Sequence, residues 1–138
     1  MKINYNQLNI WDKIIIMGFL TTHVLDTSNG RPASNVQIEL QKVLESKTIH
    51  IIKVFTNEDG RCSEPILEGE NFVVGTYELN FYIGEYFKSI DPDMRINNFL
   101  GIVPVRFNIS SSEEHYHCLL YTSPSPRDVE EARMPSSA

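Results

Sequence analysis

The sequence has little of what disulfide frameworks, metal clusters or membrane spans are built from. Its two cysteines, Cys62 and Cys118, stand far apart with no CxxC spacing, which excludes a disulfide-rich scaffold and a zinc ribbon. No secretory leader with a basic start, apolar run and small-residue cleavage site is visible, so a reducing, intracellular setting is expected. The longest early apolar run, Ile14 to Leu20, is far short of the roughly 20 residues of a spanning helix, and no membrane association is expected. Basic residues are also scarce: 12 Lys and Arg face 18 Asp and Glu, and the net charge of −6 repels phosphate backbones and anionic lipid. Nucleic acid is not an expected partner.

What is present suits one β-rich domain. A chain of 138 residues with 41% hydrophobic content can bury a single core. Apolar residues alternate through Val36, Ile38 and Leu40 and again through Tyr77, Leu79, Phe81 and Ile83, the period-2 signature of half-buried strands. Ile49 to Phe55, Val103 to Ile109 and His115 to Leu120 add further strands, with turn formers at Asn29-Gly30, Asp59-Gly60, Gly69 and Pro92. Roughly seven strands at this spacing predict an all-β, two-sheet antiparallel sandwich. One short helix is predicted at Gly84 to Lys88, and Ser89 to Asn98 reads as loop. Asn29-Gly30 signals a hairpin, but Pro32 lacks a ladder donor, so a corner between sheets is predicted there.

Both ends depart from this pattern. Residues 1–16 have neither an amphipathic period nor a targeting signature, and Met17 stands immediately before the coherent region, so a non-native or disordered extension is expected with Met17 as the native start. The stretch from Thr122 lacks alternation, and Pro124, Pro126 and Pro135 bar it from a central strand. It resembles translated cloning sequence, and 121–138 is expected to be a non-native, disordered tail, leaving 17–120 as the domain.

The candidate chemistry gathers on His23, Arg61 and the late pair His115 and His117. His23 lies on an apolar segment just before a polar turn. A lone strand histidine is more often a half-buried structural residue, but His115 and His117, two apart, project from one strand face and could meet His23 across a sandwich. A pair of histidines at i and i+2 can also hold zinc, yet a closed site needs four ligands, and Cys118 should face away from His117, so no metal is expected. Arg61 follows the Asn57-Glu-Asp-Gly60 turn and could be a solvated surface arginine or an aimed, permanently charged guanidinium. His50, within an apolar strand and without a partner motif, reads as structural. A neutral imidazole can take a proton from water, and a nearby cation helps keep it neutral at pH 7. A second donor can steady the oxyanion of an attacked carbonyl. Hydrolysis of an activated amide or lactam is the reaction class these residues suit.

The blocks His23-Val-Leu-Asp26, Gly30, Pro32-Ala33, Asp59-Gly60-Arg61, Tyr77-Glu-Leu-Asn-Phe81, Gly84-Glu-Tyr86-Phe87 and Pro104-Val-Arg-Phe107 occur in order. Over residues 19–117 the chain resembles the transthyretin-like proteins, and within them the 5-hydroxyisourate hydrolases, which carry the histidine, arginine and second histidine found here as His23, Arg61 and His117. The resemblance implies a transthyretin-like sandwich and hydrolysis of 5-hydroxyisourate to 2-oxo-4-hydroxy-4-carboxy-5-ureidoimidazoline in urate catabolism. Water is then the second substrate, and no metal or organic cofactor is required. It implies that His23 and His117 form the acid/base pair while Arg61 orients the substrate, with His115 a bystander or supporting residue. It also implies a homotetramer, a dimer of dimers with sites in the channel between dimers, in the cytoplasm or peroxisome. The family's enzymes end in one more strand and a terminal Tyr-Arg-Gly-Ser. Neither follows Cys118-Leu-Leu-Tyr-Thr122 here, so the last strand is expected to be missing. The alternatives are a transthyretin-type binder of an aromatic ligand such as a thyroid hormone, or an inactive truncated product.

Overall fold

The computed structural model describes residues 17–92 and 99–123, the backbone of 131–133 and 136–137, and the isolated positions Gln7 and Asn9. Apart from those two positions, the extension read at 1–16 lies outside the described residues, as does 93–98 of the predicted loop.

Alternation decides which face of each strand enters the core. In β1 (Phe19–Asp26) the side chains of Leu20, Thr22, Val24 and Asp26 are buried, while those between them are half-buried on the opposite face. Six further strands carry the sandwich: β3 (Gln37–Val43), β4 (Thr48–Phe55), β5 (Leu67–Glu68), β6 (Gly75–Tyr82), β7 (Ile102–Ile109) and β8 (His115–Thr122). One sheet has the order β4-β3-β6-β7, antiparallel throughout. The other is built on β1 and β8, with β5 and a two-residue strand β2 (Arg31–Pro32) pairing antiparallel to β1. Between the sheets, Leu20 and Val24 meet Ile38, Leu40, Leu79, Phe81 and Leu120, all with no exposed surface. The sandwich expected from the alternation is therefore present, with one parallel pair in it, β1 against β8.

The predicted helix is longer than its aromatic pair suggested. α1 spans Ile83–Ile90 and buries Ile83, Tyr86 and Phe87, a spacing of three and four that puts all three on one face. Glu85 in the first turn and Lys88 in the last both complement the helix dipole.

The corner predicted at Asn29 to Pro32 is displaced. Gly30, at φ 62°, lets the chain turn back, and Arg31 and Pro32 pair with Asp26 and Leu25 of the same sheet. Pro32 is tolerated because β2 is a short edge strand that asks nothing of its missing N–H. The crossing between sheets follows at residues 33–36, where Thr56 Oγ1 donates to the Ala33 carbonyl at 2.7 Å and accepts from the Val36 N–H at 2.9 Å.

At the C-terminal end the described strands continue past residue 120. β8 runs to Thr122, whose carbonyl accepts from the Thr27 N–H at 3.0 Å. Beyond it, backbone segments β9 (Glu131–Arg133) and β10 (Ser136–Ser137) pair antiparallel with β8, so its outer edge is covered over these positions. Backbone pairing of this kind blunts an edge without needing an apolar pattern in the covering strand.

Candidate active site

The parallel register of β1 and β8 assembles the histidines. Phe19 is paired with His115, Thr21 with His117 and His23 with Leu119, and all six are half-buried on the face turned away from the core. Partners in a ladder share a face, so His115, His117 and His23 line up as neighbours although most of the chain separates them. Cys118, next to His117 on the strand, points into the core with no exposed surface, as expected.

Arg61 reaches this face from the other side of β1. Its backbone forms an isolated antiparallel bridge with His23, secured by the Val24 N–H donating to the Gly60 carbonyl at 2.8 Å. The turn that delivers it is closed by Asn57, whose Oδ1 accepts from the N–H groups of Asp59 at 2.9 Å and Arg61 at 3.2 Å. Gly60 is required here: its φ is 74°, and a Cβ would collide with the Val24 carbonyl and press on Pro32. Arg61 itself is exposed.

The surroundings keep both catalytic candidates neutral. Burial, then the Arg61 charge, lowers the His23 pKa below the ordinary 6.5, against an opposing hydrogen bond to the Asp59 backbone and the Asp59 carboxylate. Burial, then Arg61, then His115 and His23 lower the His117 pKa. Among the described residues, His23 Nε2 is buried without a hydrogen-bond partner. An unpaired buried nitrogen costs about 1–3 kcal/mol, and such atoms are tolerated mainly where function uses them.

The structure brings His23, Arg61 and His117 together and separates the residues set aside. His50 is exposed on β4, in the other sheet. Burial pushes the Cys62 thiol up to about 11 and the Cys118 thiol up to about 12, which leaves both poor nucleophiles near neutrality. Among the described residues, no group of three or more His, Cys, Asp or Glu is arranged to hold a metal ion. No described helix is long and apolar enough to cross a membrane.

One member of the cluster was not legible in the sequence. Thr21 Oγ1 lies 2.8 Å from His115 Nε2 and 2.8 Å from His117 Nδ1, bridging the two imidazoles. Its period-2 spacing from His23 was visible, but its partners depend on the register with β8. His115 is in turn stacked on Phe19, ring centroids 4.0 Å apart and planes 26° apart.

Among the described residues, clefts of about 540, 540 and 290 Å³ lie beside Arg31 and Tyr86, against Ile51 and Tyr77, and beside Gly84 and Leu100. The triad occupies the outer face of β1 and β8, flanked by the half-buried Leu25, Leu119 and Tyr121.

Known proteins share this arrangement of sequence. The chain is 48% identical over 108 residues to 5-hydroxyisourate hydrolase 2 of Rhizobium meliloti (strain 1021), covering 78% of this chain and 89% of that protein. It is 43% identical over 108 residues to 5-hydroxyisourate hydrolase of Ralstonia nicotianae, covering 78% and 92%. Among solved structures, (S)-allantoin synthase superposes with a TM-score of 0.75 at 37% identity, over 88% of this chain and 44% of that one, so this chain spans less than half of that protein. A family model described as HIUase/Transthyretin matches residues 20–126, and with relatives this similar over most of their length, the chain belongs to the HIUase/Transthyretin family.

Proposed function

We propose that the protein hydrolyses 5-hydroxyisourate to 2-oxo-4-hydroxy-4-carboxy-5-ureidoimidazoline, a step of urate breakdown, with His23, Arg61 and His117 as the working residues. The observation that carries this reading is the shared outer face of β1 and β8, where two imidazoles held neutral sit beside one permanent cation. The curated relatives named for this activity support it, and they are bacterial, which favours the cytoplasm.

His117 takes a proton from water as the oxygen attacks the ring carbonyl, and a C–O bond forms. Arg61 offsets the negative charge that develops on the carbonyl oxygen. Collapse of the tetrahedral centre breaks the ring C–N bond, and an imidazolium returns a proton to the departing nitrogen, with His23 the partner in this exchange. The product is an N–H and a carboxylic acid, which ionises by releasing the second water proton to solvent, and the enzyme regains its starting protonation. A positioned base of this kind contributes about 10² to 10⁴ in rate.

In the proposed assembly a second subunit covers this outer face. The half-buried apolar side chains beside the triad support the tetramer of two dimers that the family resemblance implies. Sedimentation of the protein measures that assembly.

Hydroxyisourate generated enzymatically from urate, followed with and without the protein, tests the reading. Accelerated decay that is lost in His117→Asn, with folding retained, is the expected outcome. Decay at the spontaneous rate combined with binding of an aromatic ligand such as thyroxine overturns it in favour of a carrier.

A further inference from the structure

We propose that Thr21 is a positioning residue that couples the tautomers of His115 and His117 through its single hydroxyl proton, so that both rings carry their proton on the same nitrogen, and that this bridge holds His117 ready to act as a base. The proposal rests on the hydrolase reading for its kinetic consequence, and on geometry alone for the tautomers.

Thr21 Oγ1 lies at hydrogen-bonding distance from two ring nitrogens, His115 Nε2 and His117 Nδ1, both at 2.8 Å. A hydroxyl carries one proton and two lone pairs. It therefore donates to one imidazole and accepts from the other when both rings are neutral. If it donates to His115 Nε2, the proton of His115 sits on Nδ1, and His117 must present Nδ1–H to Oγ1. That leaves the lone pair of His117 on Nε2, the nitrogen away from the bridge. If the hydroxyl turns the other way, His117 carries its proton on Nε2 and cannot take one there. One rotor thus decides whether the outward nitrogen of His117 is a base.

The surrounding structure holds this bridge in place. The register pairs Thr21 with His117 and Phe19 with His115, so the hydroxyl stands between the two rings. Phe19 stacks on His115 and fixes its plane, and the rings of His115 and His117 meet edge-on, 6.3 Å apart at 66°. His117 also feels the charges of Arg61 and His23, while its Nδ1 is held by Thr21. Metal-free histidines fix their tautomers through the hydrogen bond made by the second nitrogen, which is the role Thr21 fills.

Nitrogen-15 NMR of the histidine side chains, recorded above pH 7, tests the proposal alongside turnover of Thr21→Val and Thr21→Ser. The expected result is His115 and His117 both as Nδ1–H tautomers in the protein, and a mixture at His117 in Thr21→Val. Turnover in Thr21→Val should fall about 10-fold or more with KM within about twofold, since only part of a general-base contribution is lost, and Thr21→Ser should restore it. An Nε2–H His117 in the native protein overturns the proposal, and so does a Thr21→Val protein with native tautomers and native kcat. Should the valine variant fail to fold, the native spectrum alone decides. If the tautomers are as expected while hydroxyisourate decays at its spontaneous rate, the hydrolase reading fails and the bridge stands.

Discussion

Arg61 is the backbone bridge partner of His23, so a permanent charge arrives beside the imidazole it influences through main-chain geometry. The bridge is antiparallel and is flanked by the Gly60 carbonyl accepting from the Val24 N–H. Position and electrostatics are coupled: a change that moves the turn also moves the charge.

The first consequence concerns pH. Both His23 and His117 have pKa values below 6.5, through burial first and Arg61 second. A base works when unprotonated, so kcat/KM should be level near neutrality and fall on acidification, with an apparent pKa below 6.5. Replacing Arg61 with Gln removes the second cause and keeps the first. The acid limb should move to higher pH while the plateau drops. A limb at the same pH in wild type and Arg61→Gln contradicts this coupling.

The turn itself makes a second prediction. Gly60→Ala places a Cβ in a left-handed backbone against the Val24 carbonyl and Pro32. The expected cost is about 1–3 kcal/mol of stability, read by denaturant unfolding. Activity should fall beyond what the loss of folded protein explains, because relief of the clash displaces Arg61. Native stability would show that the turn is not held as described.

A third prediction lies at the far end of β1. Asp26 is buried at 1% exposure; burial pushes its carboxyl up, but hydrogen bonds from Ser28, Asn29 and Tyr86 outweigh it and hold the pKa below the ordinary 3.8. The Tyr86 hydroxyl donates to Asp26 Oδ2 at 2.8 Å and is pushed well above its usual range, first by burial and then by that bond. Tyr86→Phe should cost about 1–3 kcal/mol at pH 7, the range for a hydrogen bond to a charged group. A carboxyl depressed by folding stabilises above its unfolded value of 3.8 and loses that contribution as pH falls through its lower folded value. The difference between wild type and Tyr86→Phe should therefore shrink below about pH 4, in unfolding curves taken from pH 7 downward. A constant difference assigns the loss to packing rather than to the carboxylate.

Much of this was legible in the sequence because it is local. Alternation at Val36 to Leu40 and at Tyr77 to Ile83 fixes the strands and their inner faces, and the Asn57 to Gly60 turn fixes where Arg61 leaves the backbone. His23, Arg61 and His117 stood out by motif. Thr21 did not, because its role arises from a parallel register with residues 94 and 96 positions away. The return of Arg31 and Pro32 onto β1 was hidden by a proline that argues against pairing yet sits at an edge. Pairing of residues 131–133 and 136–137 with β8 was not read from the sequence, where three prolines argue against a strand.

The central claim is that two imidazoles and a guanidinium act as one unit on a bound heterocycle. Groups that act together lose nearly everything when any one is removed. Hydroxyisourate decay should be measured with wild type, His23→Asn, Arg61→Gln, His117→Asn and the triple variant, each shown to be folded. Each single variant should fall most of the way to the triple variant's rate. Independent losses that multiply to the triple variant, or single variants with wild-type turnover, would contradict the account.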